Sequence, residues 1–135
     1  MAFRFRLQAV QKVQEFQRDE EKRTLAELLT QQEELTQEET VLRQKLEETL
    51  RERAEWLQNG TLNGEINVSE LQQFLQFESH LRQQLTTLTN TQKQLATQVE
   101  KQRDTLLTSE REVKKFEKLE EKQREQYQKS HPETH

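Results

Sequence analysis

The chain has no cysteine, one proline and two glycines among its 135 residues. The missing cysteine excludes disulfide staples, a thiol nucleophile and thiolate metal ligands. Scarce proline and glycine leave few places where a helix is broken or the backbone reverses. Apolar residues are also short, at 30% with 6% aromatic, against the roughly 45–50% apolar content of an ordinary globular domain. No apolar run approaches the ~18 residues of a membrane span, and the opening lacks the continuous apolar core of a secretory signal. The formal charge of −4 argues against a nucleic-acid partner, which calls for a clearly basic surface. These absences predict a cytoplasmic protein. The sequons at Asn59 and Asn67 then have no consequence, since glycan acceptors matter only on a secretory route.

What is abundant is Leu, Gln, Glu, Lys, Arg and Thr, mostly strong helix formers. Long helices packed along a narrow seam need few apolar residues, so the composition predicts an all-α fold, one elongated unit over residues 1–135. Only "QNGTLNGEINVSE", Gln58 to Glu70, is rich in breakers. Its two Asn-Gly steps tolerate positive φ and reverse the chain, and Ser69-Glu70-Leu71-Gln72 reads as a capping box. The expected elements are helix 1 at about 5–57, a loop at 58–68, helix 2 at about 69–128 and a tail at 129–135. Pro132 ends the second helix.

With Leu71 as position a, the a and d series of helix 2 run to Tyr127, and eleven of seventeen positions are apolar in a chain that is 30% apolar. That density marks a heptad seam. Helix 1 is less regular. Leu25, Leu28, Leu35, Leu42, Leu46, Leu50 and Leu57 follow one stripe, Leu7, Val10 and Val13 another, and Gln17 to Thr24 between them holds no apolar residue. Folding at the glycine loop pairs Leu57 with Leu71, Leu46 with Leu81, Leu42 with Leu85, Leu28 with Val99, Val13 with Val113, Val10 with Phe116 and Leu7 with Leu119. The paired numbers add to 126–128. The expectation is a long antiparallel two-helix coiled-coil hairpin, monomeric alone, each arm about 80–90 Å long. Gln92, Gln102 and Ser109 interrupt its seam, as polar residues that cost stability and can set register.

Residues 1–24 carry net +2 and 100–130 net +1, whereas 25–99 carry −6. The open end is mildly basic and the loop half acidic, which suits a part held at one end and contacting something else at the other. No Gly-rich phosphate loop and no Ser-His-Asp set is present, and a hairpin offers no concave interior. Glutamate pairs such as Glu33-Glu34 and Glu47-Glu48 read as a solvated helix face. His131 and His135 have metal-ligand spacing, but Pro132 between them points to a loose tail. No enzyme activity, metal or cofactor is expected. Phe3, Phe5 and Phe16 gather at one end, with Phe116 and Tyr127 beside them, and Trp56, Phe74 and Phe77 flank the loop. Two helices cannot bury so wide a stripe, so the Phe74–Leu85 face is expected to bind a partner.

"FRFRLQAVQKVQEFQ", "INVSELQQFLQFESHLRQQL" and "VEKQRDTLLTSEREVKKFEKLEEKQREQY" resemble the opening, the post-loop segment and the C-terminal pattern of the FliJ family. These are small coiled-coil proteins of the flagellar type III export apparatus. Thr108-Ser109 stands where that family often has alanine, and the central loop is longer. The resemblance implies a non-enzymatic stalk whose terminal end enters the ring of the hexameric export ATPase and promotes its assembly. It also implies contact of the opposite part with the membrane export gate, and escort of export chaperones. Phe3, Arg4, Phe5, Arg6, Leu7, Arg103, Arg111, Lys115 and Leu119 would then face the ATPase, and Phe74, Phe77, Leu81 and Leu85 the gate or chaperones. The place implied is the cytoplasmic side of the inner membrane at the flagellar base. Two other readings are the equivalent stalk of a needle-type virulence secretion system and a generic scaffold that homodimerises through full-length helices.

Overall fold

A computed structural model describes residues 7–130. Two helices, α1 (Gln8–Asn63, 56 residues) and α2 (Val68–Ser130, 63 residues), account for nearly all of them. They pack antiparallel, and the described residues contain no strand. The fold is an all-α hairpin. Its threonines sit comfortably in helix because hydroxyls such as those of Thr36, Thr40, Thr86 and Thr105 donate to the carbonyl four residues back. His131, Pro132 and His135 lie outside the described residues.

The turn differs from expectation. Helix α1 continues six residues beyond the expected end at 57, straight through Asn59-Gly60, and the loop shrinks to 64–67. Only the second Asn-Gly step reverses the chain. Gly64 adopts φ +71°, its N–H donates to the Thr61 carbonyl (3.4 Å), and the Glu65 N–H donates to the Gly60 carbonyl (2.9 Å). This is a Schellman C-cap, which satisfies carbonyls left over at the helix end. Gly60 is needed for space, not for φ. A Cβ there would stand 2.6 Å from the Glu65 carbonyl oxygen and 3.3 Å from Ile66 Cγ1. The N-cap of α2 is likewise two residues upstream of the expected Ser69. Asn67 Oδ1 accepts from the N–H groups of Ser69 (2.9 Å) and Glu70 (3.4 Å).

The chain divides into two compact units. In the unit Thr30–Thr97, Leu42, Leu81, Leu85 and Leu88 form a buried cluster with Leu35 and Leu46 packed against it. Each such leucine contributes about 1.5–3 kcal/mol. Polar pairs cross the same seam. Arg53 Nε lies 2.5 Å from Glu78 Oε1, whose side chain is buried. Gln92 Nε2 donates to Glu39 Oε2 (3.0 Å), and Arg43 Nε donates to the other Glu39 oxygen (3.0 Å). These bonds, Gln92's foremost, hold the Glu39 carboxyl below the usual carboxylate range, against a smaller opposing effect of desolvation.

The other unit joins residues up to Leu29 with those from Gln98 onward. Here Val99 and Val113 are buried. Gln102 Nε2 donates to the Glu21 carbonyl (3.0 Å), and the Ser109 hydroxyl donates to Glu21 Oε2. All three polar residues expected to interrupt the seam of α2 thus reach across to α1.

None of the seventeen expected a and d positions of α2 is exposed. Helix α1, read from sequence as two unconnected stripes, has one continuous seam: Leu28 and Leu25 lead back to Glu21, Arg18, Gln14 and Gln11 at alternating three- and four-residue steps, all buried or half-buried. Val10 and Val13 therefore do not occupy the seam positions assigned to them, whereas Leu7, four residues before Gln11, keeps the seam spacing. Val10 is 43% and Val13 62% exposed, Leu7 sits at the margin of exposure, and Gln11 is 7% exposed. The heptad phase set by the leucines downstream dictates which side of α1 faces α2, and near its start that side carries polar residues.

The pairing register is corrected as well. Arg53–Glu78, Glu39–Gln92, Trp56–Phe74 and Glu21–Ser109 have numbers adding to 130 or 131. That is about one helical turn from the 126–128 of the leucine pairing. In a knobs-into-holes seam each leucine meets neighbours three or four residues apart, so leucines alone match almost equally well in both alignments.

Two outcomes follow for the fold. Gly64→Ala places a side chain at positive φ in open space and should cost about 1–2 kcal/mol. Gly60→Ala should also destabilise, although alanine is favoured by about 1 kcal/mol in a helix interior, because its Cβ meets the Glu65 carbonyl. Urea unfolding of both variants measures this. The lowered Glu39 pKa contributes stability that is present above the ordinary glutamate range and is lost as pH falls through the lowered value. Wild type should thus lose stability on acidification with a component that Glu39→Gln lacks, read from unfolding midpoints against pH.

Candidate functional site

At the turn end of the unit Thr30–Thr97, α1 supplies Thr49, Glu52 and Trp56, and α2 supplies Glu70, Gln73, Phe74 and Phe77, around a surface groove of about 410 Å³. The Trp56 and Phe74 rings lie 5.5 Å apart, tilted by 48°, within the range of a favourable aromatic pair. Trp56 Nε1–H donates to Glu70 Oε2 at 2.7 Å, so the indole has its polar partner and its position is fixed from both sides. Thr49 closes the floor, its hydroxyl donating to the Lys45 carbonyl (2.7 Å). A two-helix hairpin thus does have a concavity, contrary to expectation.

Phe77 stands at the edge of this groove, 47% exposed. Of the four residues expected to form a gate or chaperone surface, Phe77 is open and Phe74 is half-buried against Trp56. Leu81 and Leu85 are different. Leu81 is 2% exposed, and both belong to the buried leucine cluster. They are a and d residues, and in a two-helix coil those positions face the partner helix, not solvent. Leu75, within the face expected to stay open, is exposed near the turn, and so are Ile66 and Val68, which sequence reasoning did not assign. Leu75 and Phe77 occupy e and g positions on opposite flanks of the seam, so only Phe77 joins the groove.

In the other unit, Arg103, Arg111 and Lys115 are exposed and Leu119 is half-buried. Arg111, Lys115 and Leu119 recur at four-residue steps and share one side of α2, whereas Arg103, an e position, lies on the flank opposite Leu119. The expected cluster is thus brought together in part. Phe3, Arg4, Phe5 and Arg6 lie outside the described residues, and Leu7 precedes α1. Val13, Phe16 and Leu107 are all exposed here; the sequence pattern put Val13 in the seam and Phe16 with the aromatics of this end, and Leu107 was passed over. Leu107 lies one turn before Arg111 on the same side of α2, a signal readable from the four-residue spacing.

Among the described residues, no group of three or more His, Asp or Glu side chains is placed to hold a metal ion, and no helix is long and apolar enough to cross a membrane. Truncation should separate surface from core. Phe77→Ala should cost under about 1 kcal/mol of stability, and Leu81→Ala about 2–5 kcal/mol, as measured by thermal and urea unfolding of each single variant.

The family described as flagellar FliJ protein matches residues 3–132. No curated protein and no solved structure matches the chain.

Proposed function

The chain belongs to the FliJ family and is a component of the flagellar protein-export apparatus, and from that premise we propose that it is a non-enzymatic stalk with two separate binding surfaces. The turn-end groove receives the export gate or the export chaperones through Phe77, over a floor of Trp56 and Phe74. The terminal unit serves the export ATPase ring, through Phe3, Arg4, Phe5, Arg6 and Leu7 together with the side of α2 that carries Arg111, Lys115 and Leu119. The observation that carries the first half is the exposed Phe77 beside a built aromatic groove, since a ring left half in water next to concave apolar surface is characteristic of a recognition site. Two charge counts support the division. The terminal segments are net positive and the 25–99 stretch is net −6, so each surface favours partners of opposite sign. Peripheral association with the inner membrane at the flagellar base would follow from these contacts and needs no membrane span.

The family favours the flagellar apparatus over a needle-type secretion system. A four-residue connection that opens with a Schellman cap favours the hairpin over a scaffold that dimerises through straight full-length helices. Paired pull-downs with the cognate export ATPase and with the cytoplasmic part of the gate test the proposal. Deleting residues 1–16 should remove the ATPase contact and its stimulation of ATP hydrolysis while sparing the gate. Phe77→Ala should weaken the gate or chaperone contact about tenfold and spare the ATPase. Loss of both contacts on either change would show that one surface serves both partners and would sink the assignment.

A further inference from the structure

Near the start of α1 the seam holds glutamines while valines one residue away face water. Gln11 is 7% exposed, yet Val10 and Val13 are 43% and 62% exposed. A buried polar residue beside an exposed apolar one is the arrangement that calls for an explanation. We infer that residues 7–17 pack on α2 in two registers. One is that described above. In the second, Val10 and Val13 replace Gln11 and Gln14 in the seam and cover Val113 and Phe116.

The spacing makes the second register available at small cost. In the first, seam residues run Gln11, Gln14, Arg18, Glu21, in steps of three, four and three. In the second they run Val10, Val13, Gln17, Glu21, in steps of three, four and four, and rejoin the same seam at Glu21. The second spacing holds one residue more than the first, a four-residue step in place of a three-residue one, which a coiled coil absorbs by local unwinding. It turns the segment about its own axis by one residue's rotation, ~100°, and leaves the helical hydrogen bonds in place. The contacts of Glu21 with Gln102 and Ser109 belong to both registers and act as the pivot. Between Gln17 and Thr24 no apolar side chain is present to resist the turn.

What changes is which surface is wet. The second register buries two valines against Val113 and Phe116, and returns two glutamines and Arg18 to solvent. Because Val13 and Phe16 are open in the first register only by virtue of its phase, a partner that covers them holds that register. The outer face of α1 and its grip on α2 are thereby linked.

Cysteine pairs test this cleanly, because the chain has no native cysteine. One heptad out from Glu21–Ser109, Gln14 stands opposite Phe116. In the full-length monomer under mild oxidation, Gln14→Cys with Phe116→Cys should close within single chains, reporting the first register. Val13→Cys with Phe116→Cys should close as well, reporting the second. Phe16→Cys with Phe116→Cys, which points away in the first register and only reaches the seam's flank in the second, sets the background. Adding Gln11→Leu, which rewards the first register with a buried leucine, should slow closure of the Val13 pair about tenfold, with helical circular dichroism unchanged. Closure of the Val13 pair no faster than the Phe16 background, or closure indifferent to Gln11→Leu, would overturn the second register.

Discussion

Everything in this hairpin depends on a handful of polar side chains that meet across the seam. Leucines hold the helices together, but a ladder of leucines spaced three and four residues apart fits a similar ladder in several alignments. The Arg53–Glu78 pair, the Gln92–Glu39 bond and the contacts of Glu21 with Ser109 and Gln102 fit in one. Sliding a helix by a turn would leave the buried Glu78 carboxylate without its guanidinium, a penalty of several kcal/mol. The buried polar groups contribute less to how strongly the helices adhere than to where they stop.

This division of labour explains what was legible beforehand. The seam of α2 could be read from the sequence because most of its positions are apolar and the exceptions are isolated. The first four turns of α1 could not, because Gln11, Gln14, Arg18 and Glu21 look like surface residues and Val10 and Val13 look like core. Register was off by a turn because the leucines carry almost no information about it. The turn was legible in kind but not in place. Two Asn-Gly steps offer the same local chemistry, and only the packing of Ile66 and the Glu65 carbonyl over Gly60 shows that the first step belongs to the helix. Of the candidate site, the aromatics around the turn were readable as a group. Leu81 and Leu85 were misassigned to the surface because the stripe that ends in an open face begins in the core.

The placement of charge gives each unit its own character. In the unit Thr30–Thr97 the acidic residues form local ladders, as in Arg43–Glu39 and Arg51–Glu47, which add little to stability at the surface and leave an acidic excess. The terminal unit is lysine-rich along α2, from Lys114 to Lys122. For a protein of an export apparatus, these unequal fields bias the orientation in which partners first encounter it, an effect that weakens as salt is added.

Trp56 is the only tryptophan in the chain, and it is wedged between Phe74 and the Glu70 carboxylate. Its intrinsic fluorescence therefore originates at one defined spot. Emission excited selectively from indole reports the turn-end groove and stays silent about the termini, so docking there is visible optically without any attached dye.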